Sequence, residues 1–163
     1  MAARVRAVRR IVLTSFCAVV ALALIAPASG FAGSGLRFFH TADGNIDCGM
    51  VKGQKKKRHK HPRFPGEARC DIKTHTWVAP PKPKYCDVDW GFGAEVGDKG
   101  FGRYVCAGDT VALPNSPVLA PGASLTLGRY TCTIPVPTGT SVRCTNNLTT
   151  HGFEISADAV SLF

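Results

Sequence analysis

The sequence predicts an all-β fold, a small disulfide-stabilised sandwich or partly open barrel, with little helix outside an N-terminal signal peptide. Three observations lead to this prediction. Short runs of β-prone residues recur along the chain, separated by glycine, proline, asparagine and aspartate. No long stretch beyond the first 28 residues keeps apolar residues at the three-and-four spacing of a helix. Six cysteines are distributed over the same region, as in small domains held together by disulfides.

The first 28 residues have the three-part order of a secretory signal peptide. Four arginines are followed by an uncharged run, Ile11–Ala26, which Pro27 ends. This run is short of the roughly 20 residues that a membrane-spanning helix needs, so a retained anchor is the less favoured interpretation. Cleavage is expected after Ala28, with Ala32 as the alternative. We therefore predict a protein that is secreted, extracellular or associated with the cell envelope, with one domain over residues 29–163.

Seven cysteines are present, and the position of Cys17 sets it apart from the others. It lies inside the apolar run, after Phe16, whereas the lipid-modified cysteine of a lipoprotein follows small residues at the end of such a run. We therefore do not expect a lipoprotein, and we expect Cys17 to be removed with the signal peptide.

An even number of cysteines in an exported chain predicts a disulfide framework. The six candidates are Cys48, Cys70, Cys86, Cys106, Cys132 and Cys144. Fifteen pairings are possible and spacing alone does not choose among them. The sequential pairing 48–70, 86–106 and 132–144 is favoured, because the last pair spans a predicted hairpin. No pair has the two-to-four-residue spacing of zinc ligands, so we expect no metal site and no cofactor.

Eight strands are predicted from the β-prone runs. They are Leu36–His40, Asn45–Met50, Arg69–Lys73, Gly102–Cys106, Leu125–Ile134, Ser141–Thr145, Phe153–Ser156 and Val160–Phe163. The proline-rich segment 79–84 interrupts this pattern and is typical of an extended polyproline conformation. The apolar C-terminus predicts a final segment that packs against the domain.

A weak internal repeat runs through the mature chain. Gly44 precedes Cys48 by four residues and an Arg-Cys pair follows at Cys70; likewise Gly128 precedes Cys132 by four residues and Arg-Cys follows at Cys144. This repeat predicts two related hairpins, each tied by a disulfide, with the basic segment as an insertion in the first. Chance similarity is the alternative.

The positive charge of the mature chain is local. Sixteen lysines and arginines face eleven acidic residues, a net charge of +5, and six of the sixteen lie within nine residues. These candidate polyanion-binding residues are Lys52, Lys55, Lys56, Lys57, Arg58 and Lys60. They belong to a predicted basic loop over residues 52–66. Such a loop attracts an anionic polymer, a lipid surface or an extracellular protein, while a solvated loop that aids solubility is the alternative.

The basic loop lacks the features of two other kinds of site. No aromatic residue interrupts the charged run to stack on bases, so sequence-specific nucleic-acid binding is not expected. His59 and His61 alone would make a weak metal site. We expect a monomer.

Catalytic signals are sparse. No serine lies in a Gly-x-Ser-x-Gly turn and no His-Glu-x-x-His motif is present. His151, next to Gly152, is the one weak catalytic candidate; the alternative is a histidine that only bonds a turn. Trp77 and Trp90 could form an aromatic surface for a ligand, or could fill the core and cover a disulfide.

The cysteine-containing segments together resemble a family of small exported actinobacterial proteins with a cysteine-rich domain of unknown function. The resemblance covers nearly all of the mature chain. The segments that carry it are 41–50, 69–72 with Trp77, 86–91, 105–110, 144–146 and 151–153. It implies export and a fold held together by cysteines, and it implies no activity and no catalytic residues.

These observations favour a non-enzymatic extracellular or cell-envelope binding domain whose basic loop contacts an anionic partner. One alternative is a small secreted hydrolase that uses His151 with a nearby carboxylate. Another is a secreted inhibitor or effector that docks on another protein.

Overall fold

The structure, a computed structural model, describes residues 35–54 and 65–163. These residues form ten β-strands and no helix. The strands are β1 (Leu36–His40), β2 (Ile46–Val51), β3 (Glu67–Ile72), β4 (Trp90–Gly97), β5 (Arg103–Cys106), β6 (Ser124–Leu127), β7 (Tyr130–Thr133), β8 (Val142–Asn146), β9 (Gly152–Ile155) and β10 (Val160–Leu162). The prediction of an all-β fold is confirmed.

The strands form two antiparallel sheets that follow the chain order. Strands β1 to β5 form the first sheet and β6 to β10 form the second, each as a simple meander. Strands β3 and β4 pack against β7, β8 and β9, and the core lies between the two sheets. Of the two architectures predicted, the sandwich is the one found; the sheets do not close into a barrel.

Strand β3 shows why the two faces of the first sheet differ. Its alternate residues Ala68, Cys70 and Ile72 are buried in the core, as the two-residue period of a strand requires. Arg69 and Asp71 point to the opposite face and are nevertheless buried. The outer face of this sheet is therefore covered as well.

The cover is the connection between the two sheets, residues 107–123, which we call the crossover segment. It starts after β5 at one edge of the first sheet and reaches β1 at the other edge, where His40 N–H donates to Pro117 O at 3.0 Å. On its way, Val111 N–H donates to Asp71 Oδ2 at 3.0 Å. The segment therefore crosses the outer face before the chain enters the second sheet.

Three disulfides join Cys48 to Cys70, Cys86 to Cys106 and Cys132 to Cys144. This is the sequential pairing favoured from the sequence. The first bridge links directly paired residues of β2 and β3, and the third does the same for β7 and β8. The two bridges touch at the centre of the core, with Cys70 Sγ 3.9 Å from Cys144 Sγ.

The two halves of the chain share a plan, as the internal repeat predicts. In each five-stranded meander the disulfide connects the second strand to the third. The segment between β2 and β3 is longer than the one between β7 and β8, which agrees with an insertion in the first hairpin.

Two of the strand predictions were wrong. Strand β4 (Trp90–Gly97) was missed, because its three glycines weaken the β signal of its sequence. The predicted single strand Leu125–Ile134 is instead the hairpin of β6 and β7, because Gly128 takes a positive φ of 62° and turns the chain. The apolar C-terminus is ordered as predicted, since β10 pairs with β9.

Three disulfides in one small domain are typical of an oxidising, extracellular-type environment. Among residues 35–54 and 65–163, no helix is long and apolar enough to cross a membrane. The predicted signal peptide lies outside the described residues.

Candidate functional site

The basic loop leaves and rejoins the sandwich through a narrow neck formed by Gly53 and Gly66. A Cβ atom on Gly66 would lie 2.6 Å from Gly53 N and 2.9 Å from the Tyr130 ring, so only glycine allows the two chain segments to approach this closely. Of the predicted polyanion-binding residues, Lys52 is described and is exposed. The other five, between Lys55 and Lys60, lie outside the described residues.

Further cations surround the neck. Exposed Lys99 lies in the turn between β4 and β5, and Arg129 lies in the turn between β6 and β7. Lys52 packs near Gly128, since a Cβ atom there would be 3.2 Å from Lys52 Cγ. We call this end of the sandwich, defined by Lys52, Lys99 and Arg129, the loop end. Gln54 and Pro65, the last described residues on either side of residues 55–64, also lie there.

One acidic residue, Asp98, lies beneath these cations and is mostly buried. It accepts a hydrogen bond from Tyr130 Oη at 2.9 Å and lies 3.5 Å from Arg129 Nη1. Burial and the negative charge of Asp98 both raise the pKa of the Tyr130 phenol, which therefore stays protonated as the donor. Asp98 thus anchors the turns of the two sheets to each other.

The acidic residues concentrate at the opposite end of the sandwich, the acidic end. That end contains the β1–β2 turn, the β3–β4 connection, the start of the crossover segment and the β9–β10 turn. Trp77 Nε1 donates to Ser156 O there, at 2.9 Å, which aligns the two sheets. Seven of the eleven carboxylates of the chain lie at this end: Asp43, Asp47, Asp71, Asp87, Asp89, Asp109 and Asp158.

An open cleft of about 380 Å³ lies at the acidic end, between the outer face of the first sheet and the crossover segment. Asp47, Asp71, Asp89 and Asp109 line it together with Lys73 and Phe92. Lys73 Nζ lies 3.0 Å from Asp47 Oδ2. Asp71 and Asp109 form ion pairs with Arg69, so three of the four carboxylates that line the cleft have a positive partner, which argues for a structural role.

Arg69 is the main partner of the carboxylates in the cleft. Its guanidinium donates to both carboxylate oxygens of Asp71, at 2.8 and 3.0 Å. It also donates to Asp109 Oδ1 at 2.8 Å and to Asp109 O at 2.6 Å. Burial acts to lower the pKa of Arg69, but these hydrogen bonds outweigh it and the pKa is raised. The same bonds lower the pKa of Asp109. Arg69 therefore fastens the crossover segment to β3.

The weak catalytic candidate, His151, lies in the turn before β9 at the loop end. Its ring packs against the Phe101 ring at 4.1 Å between centroids. In the described part of the chain, no hydrogen bond or ion pair joins its ring to a carboxylate. The contacts of His151 are those of a turn histidine, and the hydrolase hypothesis stays a prediction.

The two tryptophans belong to one aromatic row along the β5 edge. Tyr104 lies between Trp77 and Trp90, with centroid distances of 5.8 and 5.9 Å, and His75 stacks on Trp77. Both indole N–H groups are satisfied internally, by Ser156 O and by Pro80 O. Trp77 also packs on the core. These contacts favour the interpretation of edge packing over that of a ligand surface.

Two features of the loop end escaped the sequence analysis. Phe101 and Leu148 are exposed apolar residues at the tips of neighbouring turns, 68% and 71% exposed. Asn146, fully buried, joins these turns because its Nδ2 donates to Gly97 O at 2.9 Å. Nothing in the sequence separates these residues from the rest of the turns, since their proximity depends on how the two sheets pack.

In the described residues, no group of three or more histidine, cysteine or acidic side chains is arranged to hold a metal ion. His59 and His61 lie outside these residues.

Comparison with known protein families places the chain in a family of unknown function. The family model described as a family of unknown function (DUF6636) matches residues 18–163. The chain belongs to this family. The family covers both sheets and all three disulfides, and its description assigns no activity. No curated protein and no solved structure shows significant similarity to the chain.

Proposed function

We propose that this member of the DUF6636 family is an exported, non-enzymatic binding domain whose loop end contacts an anionic partner. The separation of charge along the sandwich carries the proposal. Lys52, Lys99 and Arg129 lie where the basic segment enters and leaves the fold, whereas seven of the eleven carboxylates lie at the other end. A domain polarised in this way approaches a polyanion with one end.

The arrangement also explains how a nearly neutral sandwich can carry a concentrated charge. Outside residues 52–60, ten basic residues face eleven acidic ones. The Gly53–Gly66 neck brings the two ends of the insertion together, so the flanking strands β2 and β3 keep their pairing along six residues. The insertion therefore adds charge without disturbing the core.

Heparin affinity chromatography tests the role of the loop. The loop variant replaces Lys55 and Lys56 with glutamine, so that it loses the same number of positive charges as the control. The matched control replaces exposed Lys82 and Lys84, at the acidic end, with glutamine. We expect the loop variant to elute at clearly lower salt and the control to elute close to the unmodified protein, because exposed charges attract through screened electrostatics. Equal elution of all three proteins would refute the proposal.

Export is part of the proposal and is tested by a separate experiment. N-terminal sequencing of the protein recovered from culture medium or from the cell surface should begin at Ser29 or at Gly33. Recovery of a chain that starts at Met1, held in the membrane fraction, would contradict export by a cleaved signal peptide. The secreted inhibitor or effector stays a second hypothesis, since a loop end of this charge also suits an acidic protein.

A further inference from the structure

We infer that the anionic partner is a lipid surface, and that Phe101 and Leu148 enter it. The inference rests on the proposed function, because it specifies what the loop end contacts. It is carried by described residues alone: two exposed apolar side chains in turns at the loop end, the same end of the sandwich that bears Lys52, Lys99 and Arg129.

Both apolar residues lie in tight turns, and the Phe101 ring also packs on the His151 ring while staying largely exposed. Gly100 takes a positive φ of 82° in the β4–β5 turn, which lets that turn present Lys99 and Phe101 on either side of it. In the β8–β9 turn, Leu148 N–H donates to Asn146 Oδ1 at 3.1 Å, and Thr150 N–H donates to Asn146 O at 2.8 Å. These bonds hold the backbone of the turn at Leu148, whose side chain stays 71% exposed.

The two turns are also fixed to each other, although they belong to different sheets. Asn146 joins them on one side through Gly97 O. On the other side the carbonyl of Phe163 accepts hydrogen bonds from Gly102 N–H at 3.1 Å and from Gly152 N–H at 2.7 Å. The two turns that carry Phe101 and Leu148 are therefore preorganised relative to each other, which lowers the ordering cost of binding.

Charge decides which surface this pair fits. Isolated exposed apolar residues are ordinary on a protein surface and need no explanation. Tyr85 and Val136 are similarly exposed, but they lie at the acidic end. There the seven carboxylates outnumber the cations, Lys84 beside Tyr85 included, and leave a net negative charge that repels an anionic surface. At the loop end the apolar tips coincide with cations, and this combination of apolar insertion and attraction to headgroups characterises peripheral binding to anionic membranes. A soluble polyanion would use the cations and leave Phe101 and Leu148 in water.

Sedimentation with vesicles tests the inference. The vesicles contain phosphatidylglycerol and phosphatidylcholine in equal parts, with pure phosphatidylcholine as the comparison. We expect binding to the anionic vesicles only. Replacing Phe101 and Leu148 with serine should weaken that binding by about tenfold for each side chain, the usual effect of apolar burial. The control replaces Tyr85 and Val136 with serine and should bind as the unmodified protein does.

Fluorescence provides a second measurement that does not rely on loss of binding. In Phe101→Trp, emission should shift to the blue when anionic vesicles are added, and in Tyr85→Trp the added emission should not shift. An unshifted Phe101→Trp emission on bound vesicles would overturn the insertion of this turn.

The heparin column separates this inference from the proposed function. The serine variant of Phe101 and Leu148 should keep its elution salt, because it keeps every cation. A protein retained on heparin but absent from anionic vesicles would overturn the lipid inference and leave the proposed function standing. A protein that binds neither would overturn both.

Discussion

Replacement of Arg69 by methionine should destabilise the domain more than replacement of an exposed charged residue such as Asp109 or Arg103. Arg69 makes four hydrogen bonds, two to the carboxylate of Asp71 and two to Asp109. The side chains of Arg69 and Asp71 are only 8% and 9% exposed. Without Arg69, the Asp71 carboxylate keeps the N–H group of Val111 as its hydrogen-bond donor and loses its positive partner.

The magnitude follows from burial. Removing one partner of a buried ion pair costs about 3–5 kcal/mol, because a charge is left in a poorly solvated site. The methionine fills the space of the arginine stem, so packing is largely retained and the change isolates the charge. The double variant Arg69→Met with Asp71→Leu should recover part of the loss, since replacing both charges with apolar groups removes the unpaired one.

Urea unfolding without reductant, followed by the fluorescence of Trp77 and Trp90, measures these changes. Two ion pairs act as controls, and in each of them the residue that is replaced is exposed although its partner is mostly buried. Asp109 is 81% exposed, and Arg103, paired with Glu95, is 62% exposed. Asp109→Asn and Arg103→Met should each cost less than about 1 kcal/mol. The reasoning is refuted if Arg69→Met costs no more than Arg103→Met, or if the double variant is less stable than Arg69→Met.

Three further predictions address other parts of the fold. Replacing both cysteines of the Cys132–Cys144 bridge with alanine should cost about 2–5 kcal/mol of unfolding free energy; an unchanged urea midpoint would contradict a structural role for that bridge. Burial, together with the nearby charge of Glu95, raises the pKa of Glu67. The fold therefore favours the neutral form of the Glu67 carboxyl. The stabilisation that this form gives to the fold is fully present below the ordinary pKa of 4.5 and is lost as the pH rises through the raised pKa. Glu67→Gln should therefore raise the melting temperature at pH 7 but not at pH 3, and an equal gain at both would be inconsistent with this cause. Asn146→Ala should cost about 1–3 kcal/mol, because Gly97 O loses a buried donor; a loss within error of zero in urea unfolding would show that the two turns do not depend on this bond.

Much of the fold could be predicted from local sequence. The β-prone runs located β1, β2, β3, β5, β8, β9 and β10 to within a few residues, because strand propensity and the turn residues between the runs are local signals. Strand β4 could not be found in this way. Its glycines are tolerated because of the packing around them: a Cβ atom on Gly93 would lie 2.2 Å from Cys70 O. Such a close approach is a property of the assembled sheet.

Part of the candidate site could likewise be predicted from the sequence, and part of it could not. The run of lysines was evident from composition, and the internal repeat predicted that it is an insertion in the first hairpin. Its surroundings could not be predicted, because Lys99, Phe101, Arg129 and Leu148 come from three different turns of two sheets. Arg69 also escaped notice, since an Arg-x-Asp pattern on a strand usually indicates a solvated face and only the crossover segment buries it.

By itself, the sequence predicted an export signal and a β domain framed by six cysteines, and it showed that the excess positive charge of residues 29–163 is confined to one segment. These are local properties of composition and spacing, which survive in any fold. Only the tertiary structure decided which bridges meet in the core, which end of the sandwich bears the cations and which bears the carboxylates. Those facts depend on how two separate meanders pack against each other, and packing brings together residues that are far apart in the chain.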